Sequence, residues 1–316
     1  MEPLLEVRDL KKYFNTPAGP LHAVDGVSFT LEAGKTLGVV GESGCGKSTL
    51  GRTILHLLDS TDGTILFEGK DVTDVNRKEL IALREDMQLI FQDPYSSLDP
   101  RKTVSQTISE PLRVQGKLSK AEIAEKTKSI MGTVGLSDRF ASSYPHELDG
   151  GRRQRIGVAR ALVMEPKFIV CDEPVSALDV SIQAQIINLL LDLQETRNLA
   201  YMFVTHDLSV VKYISDDIMV MYLGQMVEKA PSDELFRSPI HPYTQALLSA
   251  IPDVDIHNKT KRIIMKGEIT SPVNPKPGCR FMARCMYASE ECAQPQKLEE
   301  VHPNHFVACC KNAQFK

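Results

Sequence analysis

The sequence predicts an α/β fold: a parallel sheet covered by helices on both faces, carrying a helical insertion and followed by a small C-terminal extension. Three observations predict it. The apolar run "TLGVVG" leads through a glycine-rich turn into the helix-forming stretch "KSTLGRTILHLL". Two further apolar runs, "KFIVCDEP" and "AYMFVTHD", flank "SIQAQIINLLLDLQ", whose apolar residues recur at helical spacing. Between these blocks, from about residue 97 to 165, the pattern is helical and polar.

Before the first run, "LLEV" and "AVDGVSFTL" read as strands with turn punctuation, and "GTILFEG" is a further strand after the first helix. Within the insertion "SKAEIAEKTKSIMGTVG" is amphipathic. In the later helix Ile182, Ile186, Leu189, Leu190 and Leu193 fall on one face, which should pack on the sheet. The pattern loosens near residue 232, and "SPVNPKPG" is a proline-rich connector into a cysteine cluster. The expected organisation is therefore one α/β unit over 1–232, with its insertion at about 97–165, and an extension over 233–316.

Composition narrows the function classes. A net charge of −4 with no Lys/Arg-rich block argues against a nucleic-acid partner, because nothing stands ready to neutralise a run of phosphates. The start "MEPLLEVRDLKKYF" lacks the basic and apolar regions of a signal peptide, and no apolar run approaches the roughly 18 to 20 residues that span a bilayer. The expectation is a cytoplasmic chain whose membrane role is borrowed from a partner.

"GESGCGKST" (Gly41, Glu42, Ser43, Gly44, Cys45, Gly46, Lys47, Ser48, Thr49) fits G-x-x-x-x-G-K-[ST] between a strand and a helix. Glycines let successive backbone N–H groups converge on the α- and β-phosphates at a positive helix N-terminus. Lys47 would reach the β- and γ-phosphates, and the Ser48 hydroxyl would bind Mg²⁺. Cys45 is either a small filler or a reactive thiol, since a helix N-terminus favours a thiolate.

"KFIVCDEP" delivers two carboxylates at a strand end. Asp172 would hold Mg²⁺ through water, leaving Glu173 to orient and deprotonate the attacking water. His206, in "FVTHD", could donate to the γ-phosphate, and Gln92, in "LIFQDP", could touch both metal and water.

In the order loop, Gln, "DGG", "DE", "SALD", His, the chain resembles the ATP-binding cassette (ABC) ATPases over about residues 4–250. The resemblance implies a P-loop RecA-like core with an antiparallel β subdomain and a helical subdomain, binding ATP and Mg²⁺. It implies a Q-loop at Gln92, a signature at Leu148, Asp149, Gly150, Gly151 and Arg152, a Walker B strand ending at Asp172 and Glu173, a D-loop ending at Asp179, and a switch His206. It also implies that two cassettes pair head to tail, each nucleotide lying between one chain's phosphate loop and the other's signature. Phe14 falls where the family places an aromatic that stacks on adenine, with Tyr13 the neighbouring candidate.

The tail "SPIHPYTQALLSAIP…SPVNPKPGCRFMARC" and the segment "QDPYSSLDPR" resemble the ATPase subunits of dipeptide/oligopeptide importers, specifically the F-type subunit. That implies a different partner cassette, two transmembrane permeases and an extracytoplasmic peptide-binding protein, with this chain peripheral on the cytoplasmic face of the membrane. The solute implied is a peptide, or nickel in some members. The rival class, a soluble cassette ATPase acting on DNA or ribosomes, usually shows a second cassette or a long coiled coil, and this sequence has neither.

Five of seven cysteines crowd the end. Cys279, Cys285, Cys292 and Cys309 are separated by five, six and sixteen residues, unlike the C-x2-C pairs of a zinc ribbon. By resemblance to importer ATPases with a "GC…RC…C…HxxxC" pattern they imply a 4Fe-4S cluster, with Zn²⁺ or unliganded thiols as the alternatives. "HFVAC" selects Cys309 over Cys310. The role implied is a staple for a small appendage, with redox sensing the alternative.

The signature itself departs from the family's LSGGQ: it reads "LDGGR". Asp is as good an N-cap as Ser, but a carboxylate about 4 Å from a phosphate costs on the order of 4 kcal/mol at an effective dielectric of 20. Arg152 and Arg153 lie within one turn; the expectation is that Asp149 caps its helix and is neutralised by Arg152, so that the site works, with a degenerate, non-hydrolysing site as the alternative.

Overall fold

The computed structural model describes residues 2–93, 95–251, 262–265, 267 and 271–315, so Pro94 and Pro252 of the quoted motifs lie outside the described residues. Two compact units emerge: Met1–Glu32, Thr36–Asp74 and Phe203–Lys316 form the first, and Ala33–Lys35 with Val75–Met202 the second.

The first unit begins with a long antiparallel hairpin, β1 (Leu5–Thr16) and β2 (Gly19–Leu31), in register from Leu5↔Leu31 to Thr16↔Gly19. Leu5, Val7 and Leu10 turn inward from β1. Next come β3 (Thr36–Val40), buried along its whole length as a central parallel strand must be, then α1 (Lys47–Ile54), β4 (Asp62–Phe67) and the short β5 (Lys70–Asp71). These complete an antiparallel sheet of order β2-β1-β4-β5.

In the second unit the order is α2 (Arg77–Asp86), β6 (Met87–Ile90), α3 (Val104–Gln115), α4 (Lys120–Thr133), α5 (Gly150–Leu162), β7 (Phe168–Asp172), α6 (Val180–Arg197) and β8 (Ala200–Val204), whose last two residues return the chain to the first unit. Asn76, Thr103 and Ser119 start α2, α3 and α4 through reciprocal capping boxes with Glu79, Gln106 and Glu122, satisfying orphan N–H groups on both sides of each helix start. Strands β6 and β7 pair in parallel from Met87↔Phe168 to Ile90↔Cys171. The buried face of α6 is Ile186, Ile187, Leu190 and Leu193, which includes Ile186, Leu190 and Leu193 of the face expected and adds Ile187; Leu189 and Ile182 are half-buried, and Ile182 covers Gly151, where an added Cβ would lie 2.8 Å from its Cγ2.

Back in the first unit lie α7 (Leu208–Ile214), β9 (Asp217–Tyr222), β10 (Gln225–Pro231), α8 (Ser232–Arg237), α9 (Pro242–Leu248), β11 (Glu299–His302) and β12 (His305–Val307). Here β3 runs parallel to β9, β10 is antiparallel to β9, and β12 adds to β10 through Glu228↔Val307. The C-terminal residues thus extend the sheet of β3, β9 and β10. Even the proline-rich connector joins in, with Val273 bridging Leu21 and the His22 N–H donating to the Pro272 carbonyl at 3.0 Å. This is why the compact units do not divide near residue 232. Residues beyond it belong with β2, β9 and β10. Among the described residues no helix is long and apolar enough to cross a membrane.

Candidate active site

In the first unit Gly41, Glu42, Ser43, Gly44, Cys45, Gly46, Lys47, Ser48 and Thr49 make the turn from β3 into α1. Two glycines are obligatory there. Gly41 has φ +150°, with an added Cβ 2.2 Å from the Met221 carbonyl oxygen, and Gly46 has φ +105°, with one 2.0 Å from that of Ala23. Lys47 is buried, and its Nζ donates to the carbonyl oxygens of Gly41 (2.7 Å) and Glu42 (3.0 Å), so the ammonium holds the loop's entrance. Cys45 is 3% exposed; burial raises its thiol above the ordinary range although Lys47 Nζ lies 3.8 Å away. Of the two readings of Cys45, small filler and reactive thiol, this burial favours the filler, because desolvation outweighs the helix end.

Tyr13 and Phe14 part company on β1. Tyr13 stacks on His22 at 3.9 Å between ring centroids and gives its hydroxyl to Asp25, with its ionisation pushed up to about 12 by burial and then by that carboxylate. Phe14 is exposed, its ring beneath Lys12 Nζ at 5.0 Å. His206, also in this unit, is exposed just after β8, next to Thr205, whose N–H bonds Val39 O at 3.2 Å; Asp207 then caps α7.

The second unit gathers another set. Asp172 ends β7 and is 1% exposed, and Glu173 follows in a left-handed conformation with φ +47°. That region is costly for a non-glycine residue and is tolerated where the surroundings hold it. Gln92 donates its amide to Glu173 Oε2 at 2.9 Å, joining two residues that the sequence treated separately. Beyond them Ser176 donates to the Glu173 carbonyl at 3.1 Å, and Asp179 stands at the head of α6 without a capping bond of its own. Gln183, which sequence reasoning missed, fixes this turn by donating to the carbonyls of Val175 (3.0 Å) and Leu178 (2.9 Å).

Asp149 is the N-cap of α5, accepting the Arg152 N–H at 2.8 Å while its other oxygen pairs with the Arg152 guanidinium. Arg153 does not share that carboxylate; its Nε donates to Leu148 O at 2.8 Å and its guanidinium lies over Tyr95. Gly150 and Gly151 sit under Leu178 and Ile182, where an added Cβ would lie 3.1 Å from Leu178 Cδ2 and 2.8 Å from Ile182 Cγ2.

Cys279, Cys285, Cys292 and Cys309 line one cavity in the first unit, together with Cys310, His241 and Phe281. Burial pushes the Cys279 thiol up to about 12 and raises those of Cys285 and Cys309. The Cys292 and Cys310 sulfurs are 3.6 Å apart, so the expected preference for Cys309 over Cys310 is not expressed as proximity to Cys292. Among the described residues no group of three or more His, Cys, Asp or Glu side chains is placed to hold a metal ion. A single tetrahedral ion with bonds of about 2.3 Å needs its sulfurs drawn closely together, which this arrangement does not provide.

A glycine-rich anion turn, a strand-end carboxylate pair met by a glutamine, and an Asp-capped "DGG" helix together define a nucleotide-binding cassette. Residues 24–176 match the ABC transporter family, and residues 227–292 match the oligopeptide/dipeptide transporter C-terminal region. The chain belongs to the ABC transporter ATPases of the oligopeptide/dipeptide importer family. It is 51% identical to the oligopeptide transport ATP-binding protein AppF of Bacillus subtilis, over 98% of this chain and 97% of that one. It is 50% identical to OppF of Salmonella typhimurium, covering 98% and 96%. Among solved structures, cbiO1 from Clostridium perfringens, part of the ABC transporter complex cbiONQ, aligns with TM-score 0.67 and 30% identity over 75% of this chain and 92% of that one. The cassette MJ0796, in a dimeric post-hydrolysis state bound to ADP and Pi, aligns with TM-score 0.66 and 27% identity over 72% and 98%.

Proposed function

We propose that the chain is the ATP-hydrolysing subunit that drives import of di- or oligopeptides, working at the cytoplasmic face of the membrane with a second, different cassette, two permeases and a peptide-binding protein. The observation that carries this reading is the roughly half-identical match to oligopeptide transport ATP-binding proteins along nearly the whole chain, tail included. In it Gly41–Thr49 cradle the triphosphate, Lys47 exchanges its carbonyl partners for phosphate oxygens, Phe14 stacks on adenine, and Ser48, Gln92 and Asp172 serve Mg²⁺. Glu173 is the general base, oriented by Gln92, and His206 contacts the γ-phosphate. Leu148–Arg152 and Asp179 complete the nucleotide sites of the assembled pair.

Residues 1–232 supply the cassette functions and 233–316 an appendage stapled by a 4Fe-4S cluster on Cys279, Cys285, Cys292 and Cys309. What supports the cluster is the thiol ligand type and the single cavity these cysteines share. A cluster spreads its cysteines over several iron atoms, so it suits this lining better than Zn²⁺, the alternative. Binding it would displace the protons that burial favours on Cys279, Cys285 and Cys309.

The test is uptake. In vesicles reconstituted with both cassettes, both permeases and the binding protein, peptide-dependent ATP hydrolysis and peptide uptake are expected, and Lys47→Ala should abolish both. Turnover unaffected by Lys47→Ala, or ATPase activity that ignores peptide, would rule the reading out.

A further inference from the structure

The segment that bears Cys279 and Cys285 also carries two arginines four residues apart, and both leave it for carboxylates in the nucleotide half of the same unit. Arg284 is buried and forks onto Glu42, the second residue of the phosphate loop, with Nη1–Oε2 2.6 Å and Nη2–Oε1 3.0 Å. Arg280 pairs with Asp25 on β2 and also donates to Leu223 O. Tyr243, on α9, holds the other side of the same loop residue: its hydroxyl accepts the Glu42 N–H at 2.8 Å. Phe281 anchors the turn between the two arginines, packed against Tyr222, Tyr243 and His241.

Glu42 poses a problem for a loop that binds a polyanion, since a carboxylate beside phosphate oxygens repels them. Its charge is met here by a guanidinium from more than two hundred residues away in sequence. The geometry of that fork, two parallel charge-assisted hydrogen bonds, is the strong form of the interaction. Among the described residues the buried Arg284 Nε finds no hydrogen-bond partner, so the side chain gives up solvation to make this contact.

We propose that Arg284 is a positioning residue for the phosphate loop: by neutralising and orienting Glu42 it sets the affinity for ATP, and it makes that affinity depend on the seating of the cysteine-bearing segment. The proposal rests on the reading of Gly41–Thr49 as the triphosphate site. It goes beyond that reading by giving the appendage a part in nucleotide binding.

Equilibrium binding of Mg-ATP to the full-length chain tests it, with Arg284→Met, Glu42→Gln and the double variant compared to the unmodified protein and unfolding temperature followed in parallel. Arg284→Met should weaken binding about tenfold in the unmodified chain and by no more than about twofold in the Glu42→Gln background, with unfolding temperature little changed in either. A merely structural contact predicts otherwise, since the loss of affinity would then follow the loss of unfolding temperature. A tenfold loss that persists in the Glu42→Gln background, or affinity that only follows unfolding temperature, overturns the proposal. If Arg284→Met does not fold, Arg284→Gln takes its place in both backgrounds with the same two outcomes. Lys47→Ala in the same series separates the two readings: if it binds ATP like the unmodified chain, the site assignment fails whatever Arg284 does.

Discussion

Asp149 and Arg152 are joined twice, through the backbone N–H at 2.8 Å and through carboxylate and guanidinium. The residue that replaces the family's Ser therefore performs the cap that Ser would perform, and brings its own counter-charge from the next turn. The signature keeps its helix start, and the pair leaves the neighbouring Gly150 and Gly151 in place against Leu178 and Ile182.

Asp149→Ser should accordingly leave unfolding free energy within about 0.5 kcal/mol and ATPase of the assembled importer little changed, whereas Asp149→Ala should cost about 1 kcal/mol through the lost cap. Arg152→Ala, which strips the counter-charge but not the cap, should lower importer ATPase more than Asp149→Ser does. Denaturant unfolding and steady-state hydrolysis measure the two effects separately. A large rise in hydrolysis on Asp149→Ser would mean that the natural carboxylate holds the site inactive.

Glu173→Gln keeps an oxygen that can accept from Gln92, so the local geometry should survive while the base is lost. Hydrolysis should fall by about a hundredfold or more with ATP affinity nearly unchanged. Binding and single-turnover measurements on the same preparation distinguish this from a collapse of the site.

His241 makes stability depend on pH. Burial pushes its pKa down to about 4, against the opposing pull of Glu228, and its Nδ1 accepts the Tyr243 N–H at 3.1 Å. The native chain thus keeps the ring neutral over a range in which the unfolded chain protonates it. The unfolded state binds more protons between about pH 4 and 6.5, so stability from this group is complete above pH 6.5 and falls as pH drops towards 4. The loss is on the order of 3 kcal/mol at the acid end. His241→Asn, which retains a cap acceptor for α9, should flatten the unfolding curve across that window.

The thiols should label in an order set by exposure. Cys310 is exposed and reacts first with a maleimide, while Cys45 and Cys171 are buried and protonated and react only slowly in the folded chain. Anaerobically purified protein carrying the proposed cluster should absorb near 400 nm, protect Cys279, Cys285, Cys292 and Cys309 from the reagent, and lose both properties in Cys279→Ser. Mass spectrometry of labelled peptides reads the order directly.

The sequence by itself determined what is written in consecutive residues. The anion loop, the strand-end carboxylates and the Asp149 cap are local, because dihedral freedom, strand termination and helix capping act over a few residues. The core strands were legible as apolar runs for the same reason. The helix α2, the short strands β11 and β12 and the burial of Ile187 on α6 were not, since short amphipathic or half-buried stretches acquire their meaning only from what packs on them. Only the tertiary structure decided that Gln92 meets Glu173, that Gln183 pins its turn, that Cys45 is buried, and that Glu42 is answered by Arg284. Those outcomes depend on burial and on charges brought together from distant parts of the chain, and electrostatic energy follows distance in space rather than separation in sequence.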